Sequence, residues 1–174
     1  METDSAYRTG RLDTILEGSD VRLVRVSKAT AAYLSAATVP PGQRSADGYP
    51  LDGTVRAASN VLRLSLDDDG FGMYQIVERK TREVVGDIGF HMPPDAAGRV
   101  EIGYGLAPMA RGRGLMTEAA RLLMEAAFAS GRVVTICAHV ESGNHASRRL
   151  LERLGMEVAG ADGGGTLMET SRPL

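Results

Sequence analysis

Helix signals, chiefly the spacing of apolar residues, mark four segments of the chain. In one segment the apolar positions are 55, 58, 62 and 66, and in another Met116, Ala119, Ala120, Leu123 and Ala127 form one stripe, both with a helical period. Ser27 and Asn144 precede two of the segments, and both residue types cap helix N-termini, while Gly155 ends the last segment. The predicted helices cover residues 28–37, 55–66, 114–129 and 145–154.

β-rich runs lie before, between and after these segments. Lys80, Thr81 and Arg82 form a short polar tip between two of the runs, which predicts an antiparallel hairpin. No linker or internal repeat interrupts the pattern, so residues 1–174 are predicted to form one mixed α/β domain with a central sheet. The predicted strands cover residues 21–26, 72–79, 83–92, 100–106, 132–140, 156–159 and 166–170.

Composition and charge narrow the classes of function. The 22 acidic and 20 basic residues give a net charge of −2, which argues against a general binder of nucleic acid or anionic membranes. The N-terminus, METDSAYRTG, lacks the basic and apolar blocks of a signal peptide. No run approaches the roughly 20 apolar residues of a membrane span. A cytoplasmic protein is therefore expected.

Disulfide and metal chemistry are not indicated. The single cysteine, Cys137, lies in an apolar run with Val133 and Ile136, and it is expected to be a small core residue rather than a nucleophile. The three histidines are far apart and form no ligand motif, so no metal site is predicted. Residues 67–70, Asp-Asp-Asp-Gly, lack the spacing of a calcium loop and are interpreted as a solvated turn.

The strongest functional signal is the turn Arg111-Gly112-Arg113-Gly114, where the third helix must begin. A helix start has backbone N–H groups without intrahelical partners and the positive end of the macrodipole. Glycines let a ligand approach the backbone, and the two arginines add mobile cationic charge, so the turn is predicted to receive a diphosphate. It lacks the spacing of a Walker A loop and of a dinucleotide fingerprint. The alternative interpretation is a plain solvated loop.

Two blocks of sequence and an upstream segment carry a family resemblance. The first block holds Glu101-Ile102-Gly103-Tyr104, Ala107-Pro108 and RGRGLMTEA from Arg111 onward. The second block is 134–155, with Asn144, Ser147, Arg148, Leu151 and a final Glu-Arg-Leu-Gly, and the upstream segment is Gly86-Asp87-Ile88-Gly89-Phe90. Together they resemble the GNAT superfamily of N-acetyltransferases, and within it the branch with the ribosomal-protein N-terminal acetyltransferases. The resemblance implies a twisted, mostly antiparallel sheet flanked by helices, with an acetyl-CoA-binding core at residues 100–158.

The resemblance also implies how acetyl-CoA, the co-substrate, is bound. The family pattern Arg/Gln-x-x-Gly-x-Gly/Ala maps onto residues 111–116, with Met116 in the last place, as is common in this branch. Strand 100–106 is expected to splay from strand 133–140, so that the pantetheine lies between them and nearby N–H groups are free to bind the thioester. The cofactor-binding residues implied are Leu106, Ala107, Arg111, Gly112, Arg113, Gly114, Leu115, Met116, Thr117, Asn144 and Ser147.

Two residues of the last helix have both a structural and a functional interpretation. Ser147 shares a helix stripe with Leu151 and Leu154, where a serine usually bonds the backbone, and Asn144 is an expected N-cap. The family pattern implies more. It places the Ser147 hydroxyl against the departing CoA sulfur, and it brings Asn144 to the cofactor or an ordered water.

Transfer to an amine requires a base, because most amines are protonated near pH 7. Glu101 is the first choice, since it opens the strand on which some family members place their base. The alternative for Glu101 is a solvated carboxylate paired with Arg99 or Arg22. The other candidates for the base are His91, His139, Glu141 and an activated water.

The resemblance therefore predicts an enzyme, an acyltransferase that moves an acetyl group from acetyl-CoA to a primary amine by direct attack in a ternary complex. The acceptor is left open: a protein N-terminus, an amino acid or polyamine, or an amine antibiotic. Two other classes remain as alternatives, a non-catalytic acyl-CoA-binding sensor and an interaction module. The oligomeric state is also open, with a homodimer as one option, since small sheets often bury an edge strand in a partner.

Overall fold

The strands and helices follow the predicted order along the chain. The computed structural model describes residues 10–65 and 69–171, so residues 1–9, 66–68 and 172–174, and with them the first half of the predicted turn at 67–70, lie outside it. Within those ranges no helix is long and apolar enough to cross a membrane. The elements are β1 Ile15–Glu17, β2 Val21–Arg25, α1 Lys28–Ser35, α2 Asp52–Leu64, β3 Met73–Glu78, β4 Val84–Phe90, β5 Arg99–Leu106, α3 Leu115–Ala129, β6 Thr135–Glu141, α4 His145–Arg153, β7 Glu157–Asp162 and β8 Gly165–Thr170.

One eight-stranded sheet carries the helices, with its strands in the order β1-β2-β3-β4-β5-β6-β8-β7. Neighbouring strands are antiparallel throughout, except that β5 and β6 are parallel. The parallel pair joins two antiparallel halves in the middle of the sheet. A mixed, mostly antiparallel sheet with flanking helices confirms the predicted fold class.

One strand was missed, and most of the other elements begin or end a few residues away from the prediction. The strand β1 was not predicted, because it is only three residues long and too short for a periodic signal. The strand predicted from 132 begins at Thr135, since the N–H of Val134 donates to the carbonyl of Gly98, the residue before β5. The helix predicted from 55 begins at Asp52, where the Thr54 side chain accepts from the N–H of Leu51, the N-cap residue.

The two faces of the sheet carry different helices and separate hydrophobic clusters. Leu123 of α3 and Leu151 of α4 are buried in the larger cluster, with Ile102 of β5 and Ile136 of β6. The smaller cluster includes residues of α1 and α2 and Met73 of β3. The predicted apolar stripe of α3 is confirmed, because its members are all buried: Met116, Ala119, Ala120, Leu123 and Ala127.

Candidate active site

A cleft opens in the middle of the sheet, where β5 and β6 separate. The two strands pair at three positions, of which Glu101 and Cys137 are the last. Beyond that pair β5 continues to Leu106 and β6 to Glu141. This confirms the predicted splay. Strands that stop pairing leave backbone N–H and C=O groups along both edges, which a ligand can use.

Hydrogen bonds to β4 show which amides of β5 face the cleft. The N–H of Ala107 donates to the carbonyl of Val85 on the β4 side at 2.8 Å. In an antiparallel ladder, alternate residues direct their N–H to the same neighbour, so the amides of Tyr104 and Leu106 point the other way, into the cleft. Free N–H groups were expected near Leu106 and Ala107, and for Ala107 this expectation is wrong. The Leu106 N–H points into the cleft, towards any group bound there.

The turn between β5 and α3 exposes the start of a helix. Gly112 and Gly114 have φ values of +71° and +78°, in the left-handed region that favours glycine. A Cβ on either glycine would find no atom of the described residues within 4 Å. The first hydrogen bond of α3 runs from the Glu118 N–H to the Gly114 carbonyl, at 3.1 Å. The N–H groups of residues 115–117 come before this bond and have no acceptor within the helix. This open helix start fits a diphosphate.

The two arginines of this turn are anchored rather than mobile, which corrects the expectation from the sequence. The Nε of Arg111 donates to the carbonyl of Leu106 at 3.0 Å. Arg113 forms an ion pair with Glu78, whose side chain is 5% exposed and also accepts from Thr81. A buried carboxylate needs such a partner. A diphosphate would therefore be held mainly by backbone N–H groups. The guanidinium N–H groups of Arg111 and Arg113 that do not bond Leu106 or Glu78 would add to its binding.

The first turn of α4 brings a hydroxyl pair together across the cleft. Asn144 caps the helix as predicted, with its side chain accepting from the Ser147 N–H at 3.1 Å. The hydroxyls of Ser147 and Tyr104 lie 2.6 Å apart, so a hydrogen bond joins α4 to β5. The sequence did not single out Tyr104, although alternation along β5 places it on the same face as Ile102, which packs with α3 and α4.

The first candidate for the base has a histidine beside it. Nδ1 of His91 and Oε1 of Glu101 are 3.4 Å apart, and both side chains are partly exposed. The alternative partners proposed for Glu101 are wrong, since Arg99 and Arg22 each bind a different glutamate. Two of the candidates thus lie side by side, at the point where the strands separate.

The candidates on β6 lie on the same face of the sheet as Glu101. Glu101 pairs with Cys137, and alternation puts His139 and Glu141 on the Cys137 side of β6, both exposed. These two side chains therefore share one face of β6, as strand alternation requires. Cys137 is buried, as predicted, and burial raises the pKa of its thiol. The described residues contain no group of three or more His, Cys, Asp or Glu side chains that could hold a metal ion.

The cleft therefore has two chemically different faces. The carboxylate and histidine candidates are on the face opposite α3 and α4, whereas Tyr104 lies on the face that packs against these helices and bonds Ser147 there. The carboxylate and histidine side chains can accept a proton on one side of a ligand in the cleft, and the hydroxyls can donate a proton on the other side.

A buried carboxylate underlies the start of α2 and was missed in the sequence. Asp87 of β4 is 6% exposed, accepts a hydrogen bond from Thr54, and pairs in register with Gly105 of β5. Burial raises its pKa to about 6, while the bond from Thr54 opposes that shift. Thr54 also accepts from the N–H of Leu51, so Asp87 fixes the helix start that lies over β5.

Asp87→Asn is expected to remove a pH-dependent part of the stability. Since burial raises the folded-state pKa of Asp87 from 3.8 to about 6, the folded chain keeps a proton that the unfolded chain has already released. The free energy of unfolding therefore falls as the pH rises through this window, by roughly 3 kcal/mol. Chemical denaturation of both proteins between about pH 4 and pH 7 measures the difference. A constant difference between wild type and variant across this range would contradict the assignment.

Comparisons with known proteins give one consistent answer. The family model described as "Acetyltransferase (GNAT) domain" matches residues 22–157. The N-acetyltransferase YjdG of Bacillus subtilis, itself uncharacterized, is 37% identical over 86 residues, which are 49% of this chain and 51% of YjdG. The chain spans about half the length of the curated relatives it matches.

Solved structures share the whole fold at low sequence identity. The ribosomal-protein-S5-alanine acetyltransferase of Vibrio fischeri has a TM-score of 0.66 at 15% identity, with 91% of this chain and 97% of that one covered. The microcin C7 self-immunity acetyltransferase MccE, solved with acetyl-CoA and AMP, has a TM-score of 0.65 at 15% identity, with 97% and 100% covered. At these identities the likeness establishes the fold.

Proposed function

Because the chain belongs to the acetyltransferase (GNAT) domain family, we propose that it transfers an acetyl group from acetyl-CoA to a primary amine by direct attack in a ternary complex. One observation carries the proposal: β5 and β6 separate directly beside the open start of α3. The separation supplies a slot with unpaired backbone groups, and the helix start supplies an anion site. The pantetheine and thioester of acetyl-CoA suit the slot, and its pyrophosphate suits the anion site.

This arrangement supports a set of residues that would bind acetyl-CoA. The N–H groups at the start of α3, near Gly112 and Gly114, would hold the pyrophosphate, since the helix start is positive and the glycines leave room. The N–H of Leu106 faces the cleft and would stabilise the negative oxygen that forms when the thioester carbonyl is attacked. Asn144 would contact the cofactor beyond its role as N-cap.

Glu101 is the proposed base, acting directly or through a water. The amine nitrogen attacks the thioester carbon, a C–N bond forms, and the amine proton passes to the base. His91, 3.4 Å from the Glu101 carboxylate, lies where it could share that proton. His139 and Glu141 remain further candidates on the same face of the sheet.

Ser147 is the proposed acid on the opposite side of the cleft. When the C–S bond breaks, the CoA sulfur leaves with the electron pair and takes the proton of the Ser147 hydroxyl. The hydroxyl bonds Tyr104 rather than a backbone carbonyl, and Ser147 is half-buried in the first turn of α4. A core serine held by its own helix would instead bond the carbonyl one turn earlier.

The acceptor is proposed to be a protein N-terminus, on the basis of the branch resemblance. An acceptor entering on the face that carries Glu101 would contact α1, α2 and the loop at 38–54. Amino acids, polyamines and amine antibiotics are the other acceptor classes, because one fold hosts many acceptors.

Isothermal titration with acetyl-CoA, CoA and ADP tests the cofactor assignment. We expect saturable one-to-one binding that prefers acetyl-CoA, because the cleft and the helix start would contact different parts of the same molecule. Absence of binding at millimolar ligand would overturn the proposal. Retention of the protein on a CoA-affinity matrix separates both CoA-binding functions, transferase and sensor, from an interaction module that does not bind CoA.

A further inference from the structure

The hydroxyl pair across the cleft points to a second residue in the departure of CoA. We propose that Tyr104 is a positioning residue, which donates its phenolic hydrogen to Ser147 and so directs the Ser147 hydrogen towards the CoA sulfur. The inference rests on the acetyltransferase function proposed above. The oxygen–oxygen distance of 2.6 Å is that of a short, well-formed O–H···O hydrogen bond.

The direction of this hydrogen bond follows from the chemistry of the two hydroxyls. A hydroxyl has one hydrogen to donate and two lone pairs to accept. A phenol is more acidic than an aliphatic alcohol, so Tyr104 is the preferred donor. Burial raises the pKa of Tyr104, which keeps the phenol protonated in the neutral range, although the bond to Ser147 acts in the other direction. Ser147 then accepts from Tyr104 and has its own hydrogen left for another acceptor.

The surroundings of both residues suit a fixed donor and a reactive acceptor. Tyr104 is partly buried and packs against the larger hydrophobic cluster, on a strand held by β4. Ser147 lies in the first turn of α4, where its N–H is bound by the Asn144 side chain. The Ser147 oxygen is therefore held from two directions, through its backbone and through its hydroxyl.

Every proton that moves when CoA departs comes from, or returns to, Ser147, the base or solvent. Ser147 gives its proton to the sulfur as the C–S bond breaks, and the hydrogen bond from Tyr104 stabilises the oxygen that has lost its proton. Ser147 regains a proton from solvent. The proton that the base takes from the amine returns to solvent, so no net proton is consumed by either residue.

Tyr104→Phe tests the inference, because it removes the hydroxyl and keeps the ring that packs in the cluster. Release of CoA from acetyl-CoA is followed with a thiol reagent, with amines and also with water alone as acceptor. We expect kcat to fall about tenfold, which is less than the loss of a whole proton donor would cause, because Tyr104 only positions the donor. The KM for acetyl-CoA should change less than about twofold. Tyr74→Phe is the matched control, because the Tyr74 hydroxyl on β3 donates to the carbonyls of Asp13 and Gly70, outside the cleft, and this variant should keep the wild-type kcat.

A double-mutant cycle separates positioning from a merely structural bond. If Tyr104 acts through Ser147, Tyr104→Phe should cost nothing further in a Ser147→Ala protein. An equal loss in both backgrounds, or an unchanged kcat in the single variant, would overturn the inference while the acetyltransferase function stands. A wild type that releases no CoA with any amine or with water would overturn the proposed function, and this inference with it. Thermal unfolding of each variant checks that the fold is intact.

Discussion

Gly112→Asp should weaken the binding of acetyl-CoA about 100-fold relative to Gly112→Asn. Both side chains tolerate the left-handed backbone at this position, and a Cβ there meets no atom of the described residues within 4 Å. The two variants differ in one respect that matters, a negative charge placed where the pyrophosphate is proposed to bind. Repulsion between like charges about 5 Å apart at a protein surface costs about 3 kcal/mol. Isothermal titration with acetyl-CoA measures both affinities.

The Asn variant serves as the control for backbone strain and bulk in this experiment. Its affinity should lie closer to that of wild type, and the unfolding temperatures of the two variants should agree, because the residue is exposed. Equal affinities of the Asp and Asn variants would show that no anion binds at this turn, and the assignment of residues 111–117 would then be abandoned.

Ser147→Ala should lower turnover about 100-fold and leave the affinity for acetyl-CoA within about twofold. The expected loss reflects a proton donor that acts only as the C–S bond breaks, so the substrate complex is little affected. Steady-state kinetics gives kcat, and titration with acetyl-CoA gives the affinity. Turnover equal to that of wild type would remove Ser147 from the mechanism.

Ser130→Ala is a matched control for this substitution. Ser130 is also a serine at a helix end, but its hydroxyl donates to the carbonyl of Ala127 in its own helix, at 2.6 Å. It is the C-cap of α3, at the end of that helix away from the cleft, and we assign it no part in binding or proton transfer. Its loss should leave kcat unchanged, so a loss of turnover in Ser147→Ala alone belongs to the cleft.

The fold was predictable from local patterns, because each of its larger elements has its own signal. The α3 stripe, the Ser27 cap of α1 and the Asn144 cap of α4 are all found where spacing and residue type indicated. Two of the elements that were misplaced or missed depend on distant partners. Val134 leaves the strand because it bonds Gly98, and β1 exists because it pairs with β2.

The detail of the candidate site was less predictable, since it depends on pairs of residues far apart in the chain. Arg113 is anchored by Glu78, and the Ala107 N–H is taken by Val85. No local pattern in the sequence specifies such a partner. The residue types at the site were nevertheless recognisable: the turn glycines, and a serine just after an Asn cap. Tyr104 was within the recognised motif, and only the fold showed that its hydroxyl meets that serine.

The division of the cleft into two faces is the most useful consequence of the fold. Glu101 and Tyr104 lie on the same strand but on opposite faces of the sheet, because they are three residues apart and strand side chains alternate. A base and an acid on opposite faces can act on one bound thioester without neutralising each other. This separation of the carboxylates from the hydroxyls does not depend on which amine is the acceptor.

Transfer of a labelled acetyl group is the measurement that tests the central claim most directly. The protein would be incubated with acetyl-CoA labelled in the acetyl group and with a panel of amines: peptides with free N-termini, amino acids, polyamines and amine antibiotics. We predict that mass spectrometry will find the label on a primary amine, with CoA released in equal amount and with little transfer by Ser147→Ala. Binding of acetyl-CoA without transfer to any amine in the panel would contradict the enzyme assignment and favour a non-catalytic acyl-CoA sensor.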